Sequence, residues 1–315
     1  MKSTRIGLIL LVLAFLVASV ALMGCPPQDE TGDEAMMPPE DTPMDEEPAE
    51  GGTSTIEIIG STTVLPIATA WAEAYHEAHQ DVDVNVSGGG SGNGIKALID
   101  QTADIAISSR EIKDSERELA QQNDVNPIEH MVAYDGISPI VHPDNPVGSL
   151  TIEQLSDIYS GEVTKWSEVG VAGMANDDIV VVSRDSASGT FESWKEMVIQ
   201  MGGEAPDRDY APAALKKNSN KDVRQTVADT ASAIGYIGLG YIDDSVKTVA
   251  VVPMSGGDAI KPTHDNVQDQ SYPIARGLYM YTDGEPTGTV ADFLDWGMGE
   301  DGQALVEQEG FVRVE

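Results

Sequence analysis

From Ile56 onward the chain reads as an α/β fold with largely parallel sheets, and three observations carry that expectation. Short β-branched runs alternate with stretches of helical periodicity. Gly, Ser and Thr gather where strands give way to helices, and the length suits one large or two modest domains.

The elements follow in order. Thr55 to Ile59 reads as a strand, and Val64 to His79 as a helix with Ile67, Trp71, Ala74 and Ala78 on one face. Val82 to Val86 is a second strand, ending in Ser87 and three glycines. A helix is expected to begin at Ile95 to Ile99, and a strand at Asp104 to Ser108. Ser115-Glu116-Arg117-Glu118 has capping-box spacing and should open the next helix. Met131 to Val141 is extended until His142-Pro143-Asp144-Asn145-Pro146 breaks it. Thr151 and Gln154 form a second capping box, with Leu150 and Leu155 placed to staple the helix start. Ile179 to Ser183 is a strand, and Phe191 to Met201 a helix whose apolar face carries Phe191, Trp194, Val198 and Met201.

The first fifty-five residues differ in kind. Lys2 and Arg5 precede an apolar run from Ile6 to Met23, long enough to span a bilayer. Leu22-Met23-Gly24-Cys25 then resembles a bacterial lipobox, so residues 1–24 are expected to be a signal peptide and Cys25 the lipidated residue. Two acyl chains there would anchor stably where one would not. With the only cysteine lipidated, disulfides and cysteine-ligated metals are excluded. Residues 25–55 are expected to form an acidic tether, reaching roughly 30 Å as a flexible chain.

The formal charge is −35, and about −27 remains on the part after the tether. Such a surface argues against nucleic acid as a partner. It does not argue against a small anion. The Debye length is about 8 Å at physiological ionic strength, so distant carboxylates are screened while donors touching the ion are not.

In parallel sheets ligands sit beyond the carboxyl ends of strands, where helices begin. Three such junctions carry small or hydroxyl residues: Gly60-Ser61-Thr62-Thr63-Val64-Leu65-Pro66, Gly88 to Gly94 with Ser91 inside it, and Arg184-Asp185-Ser186-Ala187-Ser188-Gly189-Thr190. Exposed N–H groups and the helix dipole let each hold an anion. For any one of them plain N-capping is the commoner explanation, since Ser and Thr often cap helices. Three together, one with an arginine, point to a shared anion. The glycine loop is not a nucleotide motif, because Ile95 stands where a phosphate-loop lysine belongs and Asn93 where a third dinucleotide-loop glycine belongs. The five histidines form no metal signature and no nucleophile elbow appears, so no enzyme and no cofactor is expected.

Those junctions, with Ala103 to Arg110, Leu150 to Gly170, Ala233 to Tyr236 and Tyr272 to Arg276, resemble the phosphate-binding proteins of ABC importers. The resemblance runs over essentially the whole chain after the tether. It implies a two-lobed periplasmic-binding-protein fold of type II that closes on its ligand by hinge motion. It further implies lobe I from 56–136 plus 246–315, lobe II from 137–245, and a monomer that hands inorganic phosphate to permease and ATPase subunits.

Carried residue by residue, the resemblance implies donors from Ser61, Thr62, Thr63 and Val64, the glycine-loop Ser91, the arginine Arg184, and the turn Ser188, Gly189 and Thr190. Some family members carry an aspartate where Ser109 or Ser186 stands; that carboxylate accepts the proton of hydrogen phosphate. Asp135 or Asp185 could replace it here, and Arg110 is a further ligand or hinge ion-pair candidate. The departure keeps a receptor for sulfate or molybdate open, and an anion-sensing surface lipoprotein without a transport role is the third reading.

Overall fold

The computed structural model describes residues 53–314. The apolar run, Cys25 and the acidic stretch lie outside the described residues. Among the described residues no helix is long and apolar enough to cross a membrane.

The first half is a run of strand–helix units. They are β1 (Ser54–Gly60), α1 (Leu65–Ala78), β2 (Val82–Gly88), α2 (Ser91–Ile99), β3 (Ile105–Ser108) and α3 (Asp114–Gln122). The long strand β4 (Pro127–Val141) follows, then β5 (Ser149–Thr151), α4 (Ile152–Ser160), β6 (Val180–Arg184) and α5 (Gly189–Trp194). The chain continues through β7 (Leu215–Lys217), α6 (Asn220–Ala228), β8 (Ala233–Gly238), β9 (Lys247–Thr248) and β10 (Ala250–Val252). It closes with α7 (His264–Gln268), β11 (Ala275–Asp283), α8 (Gly288–Met298), α9 (Glu300–Gln308) and β12 (Val312–Arg313).

Strand order runs β2-β1-β3-β11-β4-β8-β6-β7. The β1–β2, β1–β3, β6–β7 and β6–β8 pairings are parallel, as the strand–helix alternation predicts, but β3–β11 and every pairing of β4 are antiparallel, so the sheet is mixed rather than largely parallel. β4 is the joint. Its first ten residues pair antiparallel with β11, and from Ile137 onward it pairs with β8. One strand therefore belongs to both halves of the molecule, and the change of partner falls at Asp135-Gly136-Ile137.

Local chemistry explains the element boundaries. Thr151 N–H donates to Gln154 Oε1 at 2.9 Å and Gln154 N–H to Thr151 Oγ1 at 3.0 Å, so the expected capping box forms. Leu150 and Leu155 are both buried beside it. The other box shifts: Glu116, rather than Glu118, accepts the Lys113 N–H at 3.0 Å, and α3 opens at Asp114. Glu116 is drawn there because Arg110 grips the same carboxylate. α2 starts at Ser91, earlier than its apolar periodicity suggests, because the glycine loop turns directly into the helix. The helix expected to reach Met201 is α-helical only to Trp194 and continues as a π-helical turn over Lys195–Ile199.

Around β1, α1 and α8, Trp71 is fully buried and its indole N–H donates to Gly302 O at 2.8 Å. Burying such a side chain contributes about 1.5–3 kcal/mol or more. A second cluster gathers Ile137, Leu150, Tyr159, Trp166, Trp194 and Tyr236. β9 pairs with β4 beyond the joint and β10 pairs with β5, while Val249, Val251, Val267, Tyr272 and Ile274 pack into the second cluster.

Candidate anion-binding site between the lobes

The three expected junctions meet. In the first, Ser61 Oγ accepts from Thr63 N–H at 3.1 Å and Val64 N–H at 3.4 Å, folding the turn that starts α1. In the second, Ser91 Oγ accepts from Ser109 N–H at 3.0 Å and lies 3.4 Å from Ser109 Oγ. In the third, Ser188 caps α5 by accepting from Thr190 N–H and Phe191 N–H at 3.1 and 3.3 Å. Ser61 and Ser188 thus use their hydroxyl lone pairs to shape the turns.

Across the gap the contacts are close. Thr63 Oγ1 lies 2.9 Å from Thr190 Oγ1, and Gly92 N–H donates to Ala187 O at 3.1 Å. Only glycine fits two of these positions. A Cβ on Gly189 would lie 2.3 Å from Ser91 Oγ and 2.6 Å from Ser109 Oγ. A Cβ on Gly90, whose φ is 101°, would lie 2.5 Å from Ala187 O.

Arg184, at the end of β6, reaches over this seam. Its Nη2 donates to Thr62 Oγ1 at 2.8 Å and to Asn218 O at 2.9 Å, and its Nε donates to Lys217 O at 3.3 Å. The residue is 1 % exposed, and its Nη1 is buried with no hydrogen-bond partner. Among the described residues it forms no ion pair, in contrast to Arg110 and Arg276. Burial pushes its guanidinium below the usual arginine range, with Tyr236 and then Asp185 pulling the other way.

Asp135 sits at the joint of β4, completely buried. Its Oδ2 accepts from Arg276 Nη2 at 2.7 Å and Nε at 3.1 Å, and its Oδ1 accepts from Leu239 N–H at 2.9 Å. Burial pushes the Asp135 pKa above the usual carboxylate range against the pull of Arg276, and pushes the Arg276 pKa below the usual arginine range against the pull of Asp135. Arg276 then donates to Ser109 O and Thr190 Oγ1, both at 3.0 Å.

Of the expected residues, Thr62, Thr63, Ser91, Ser109, Arg184, Ser188, Gly189 and Thr190 converge, with Ser61 and Val64 in the first turn. Three are engaged elsewhere. Arg110 binds Glu116 in a two-pronged pair, 2.7 and 2.8 Å. Asp185 Oδ1 accepts from Ala187 N–H at 2.8 Å and so stabilises its own turn. Asp135 faces the seam only through Arg276. Arg276 lies in the resembling segment Tyr272 to Arg276, but nothing local marks it as a partner of Asp135, and no local motif marks Asn220. Asn220 is buried, and its Nδ2 donates to Thr63 Oγ1 at 3.0 Å.

The arrangement can hold a small anion. Hydroxyls of Thr63, Ser91, Ser109 and Thr190 meet along the seam, and Arg184, bonded to Thr62 on the other side, keeps its charge and the donors of Nη1 to spare.

Comparison with known proteins agrees with this geometry. Residues 45–301 match the model of the PBP superfamily domain. The phosphate-binding protein PstS of Pseudomonas aeruginosa is 30 % identical over 278 residues, covering 84 % of each chain. PstS of Bacillus subtilis is 29 % identical over 100 % of this chain and 95 % of its own. A structure from Clostridium perfringens, described as a phosphate ABC transporter substrate-binding protein with bound phosphate, superposes with a TM-score of 0.73 at 32 % identity. It is matched over 83 % of this chain and 100 % of its own. With its two lobes joined through β4 and its helix starts facing one another, this chain belongs to the PBP superfamily and, within it, to the PstS-like family.

Proposed function

We propose that this chain is an extracytoplasmic receptor that captures inorganic phosphate between its lobes and delivers it to an ABC importer. The observation that carries the reading is Arg184. A guanidinium 1 % exposed, without a carboxylate partner and with both N–H bonds of its Nη1 unused, costs several kcal/mol unless an anion answers it. Thr62, Thr63, Ser91, Ser109, Gly189 and Thr190 surround the place where that anion would sit. The phosphate-binding names of the relatives supply its identity.

In this reading Ser61, Val64 and Ser188 build the turns, Asp135 fixes Arg276, and Arg276 holds Thr190 and the Ser109 carbonyl. Lobe I comprises residues up to the β4 joint together with the segment from Ala275, and lobe II the residues between. The receptor works as a monomer tethered through lipid on Cys25, and the cycle makes and breaks no covalent bond. Capture and closure belong to this chain, and transport energy to the ATPase.

Titration calorimetry tests the reading. Phosphate should bind, and Arg184→Ala should weaken it about a hundredfold or more. No heat with phosphate, or full affinity in Arg184→Ala, would overturn it. A broader oxyanion receptor is the second reading, favoured because both oxygens of Asp135 and Oδ1 of Asp185 are engaged inside the protein. Equal competition by sulfate or molybdate at neutral pH would select it.

A further inference from the structure

Thr63 and Thr190 face each other across the seam, and each is also held by a nitrogen. Arg276 Nη2 donates to Thr190 Oγ1 at 3.0 Å, and a guanidinium can only donate. Asn220 Nδ2 donates to Thr63 Oγ1 at 3.0 Å. The amide's orientation is fixed at its other end, where Asn220 Oδ1 accepts from the Gly238 N–H at 3.4 Å. An N–H cannot meet another N–H, so the Asn220 NH2 group must face the threonine.

A donor therefore closes the hydroxyl pair at each end. The single link between the two oxygens, 2.9 Å long, consumes one hydroxyl proton. Two are present. Whichever way the link runs, one O–H is left without an acceptor inside the relay. If Thr190 donates to Thr63, the Thr63 proton is left over; if Thr63 donates, the Thr190 proton is.

We propose that Asn220 is a positioning residue of the binding site: by donating to Thr63 it forces the threonine pair to offer one hydroxyl proton to the ligand. Asn220 begins α6 on the far side of the seam from Thr63. The same contact thus joins the lobes while it sets the polarity of the pair. Together with the free Nη1 of Arg184, the relay makes this part of the site a donor surface, matched to an oxyanion oxygen carrying no proton. The inference rests on the phosphate-receptor reading and adds to it a residue that touches no ligand.

Replacing the amide by an isosteric acceptor gives the test. In Asn220→Asp the carboxylate accepts from Thr63, absorbs the surplus proton and places a negative charge beside the anion. Arg184, Arg276 and Asp135 are the charged groups of the seam that face this relay. Phosphate affinity of full-length wild type, Asn220→Asp and Asn220→Ala is measured by calorimetry from about pH 5 to pH 8, each variant as a ratio to wild type at the same pH to cancel the titration of phosphate itself. Thermal unfolding is followed in parallel. Asn220→Ala should weaken binding about tenfold at every pH. Asn220→Asp should weaken it about a hundredfold at pH 8 and recover toward the Ala value as its carboxyl gains a proton. The proposal is overturned if Asn220→Asp binds like wild type, or if the Asp and Ala variants lose affinity equally with no pH dependence, as a purely structural residue would. If wild type itself fails to bind phosphate, the receptor reading falls first. Arg184→Ala serves as the positive control for loss of binding.

Discussion

Two buried arginines stand on either side of one seam, and they are in opposite states. Arg276 lies at the hinge with Asp135, the pair 2.7 Å apart with side chains 6 % and 0 % exposed. Arg184 lies at the mouth with only carbonyls and a hydroxyl, and no carboxylate. A buried charge with a dedicated partner holds structure together, whereas one without a partner stores an unmet demand. The hinge arginine is answered by the chain itself. Arg184 has no such answer among the described residues, and the proposed receptor reading assigns that answer to the bound anion.

Breaking the hinge pair should have the largest effect. Asp135→Asn leaves Arg276 buried and unpaired, and should lower stability by about 3–5 kcal/mol in urea denaturation. The double variant Asp135→Leu with Arg276→Met should recover most of that loss, since both charges leave together. If the single variant costs nothing, the hinge and mouth arginines are not different in kind.

Arg184→Met should do the reverse, abolishing phosphate binding while raising stability by about 1–3 kcal/mol, because it removes a lone buried charge and keeps the stem. A loss of stability in the ligand-free variant would mean that carbonyls alone satisfy Arg184. Gly189→Ala should weaken phosphate binding at least tenfold with little change in unfolding temperature, since its Cβ would strike Ser91 and Ser109 only when the lobes meet.

Arg110 offers an intermediate case, a pair at the rim of the first lobe. Burial alone would raise the Glu116 pKa, but hydrogen bonds from Arg110 and the Lys113 N–H hold it below the usual carboxylate range. A depressed carboxylate adds stability above its unfolded value, near 4.5, that is lost as pH falls through the folded one. Glu116→Gln should therefore cost about 1–3 kcal/mol at pH 7 and flatten the acid limb of the stability profile below about pH 5. The smallest effect belongs to Lys113 and Glu192, 3.0 Å apart and partly exposed across the seam. Lys113→Ala should speed phosphate release by less than about fivefold, and salt should erase the difference.

How much of this was legible depends on whether the signal is local. Strands and helices were, because periodicity and caps act within a few residues; Thr151 and Gln154 formed the box that their spacing announced. Glu118 lost its expected role to Glu116, since an arginine six residues back pulled on the nearer acid. The three junction loops were legible as helix starts, and Arg184 as the cation among them. The roles of Asp135, Asp185 and Arg110 were left open by the sequence, because an acid or arginine in a loop looks the same whether it faces a ligand, a turn or another charge.

By itself the sequence determined the alternation of strands and helices, the hydroxyl-rich turns, and the acidic surface that leaves a small anion as an acceptable ligand. Each follows from short-range chemistry or composition. Tertiary structure alone decided which charges are paired. The partners of Asp135 and Thr63, Arg276 and Asn220, lie 141 and 157 residues away in the chain, and no spacing rule reaches that far. Pairing of β11 with β4 brings Arg276 to Asp135, whereas Arg184 meets no carboxylate among the described residues, and burial makes that difference energetically large.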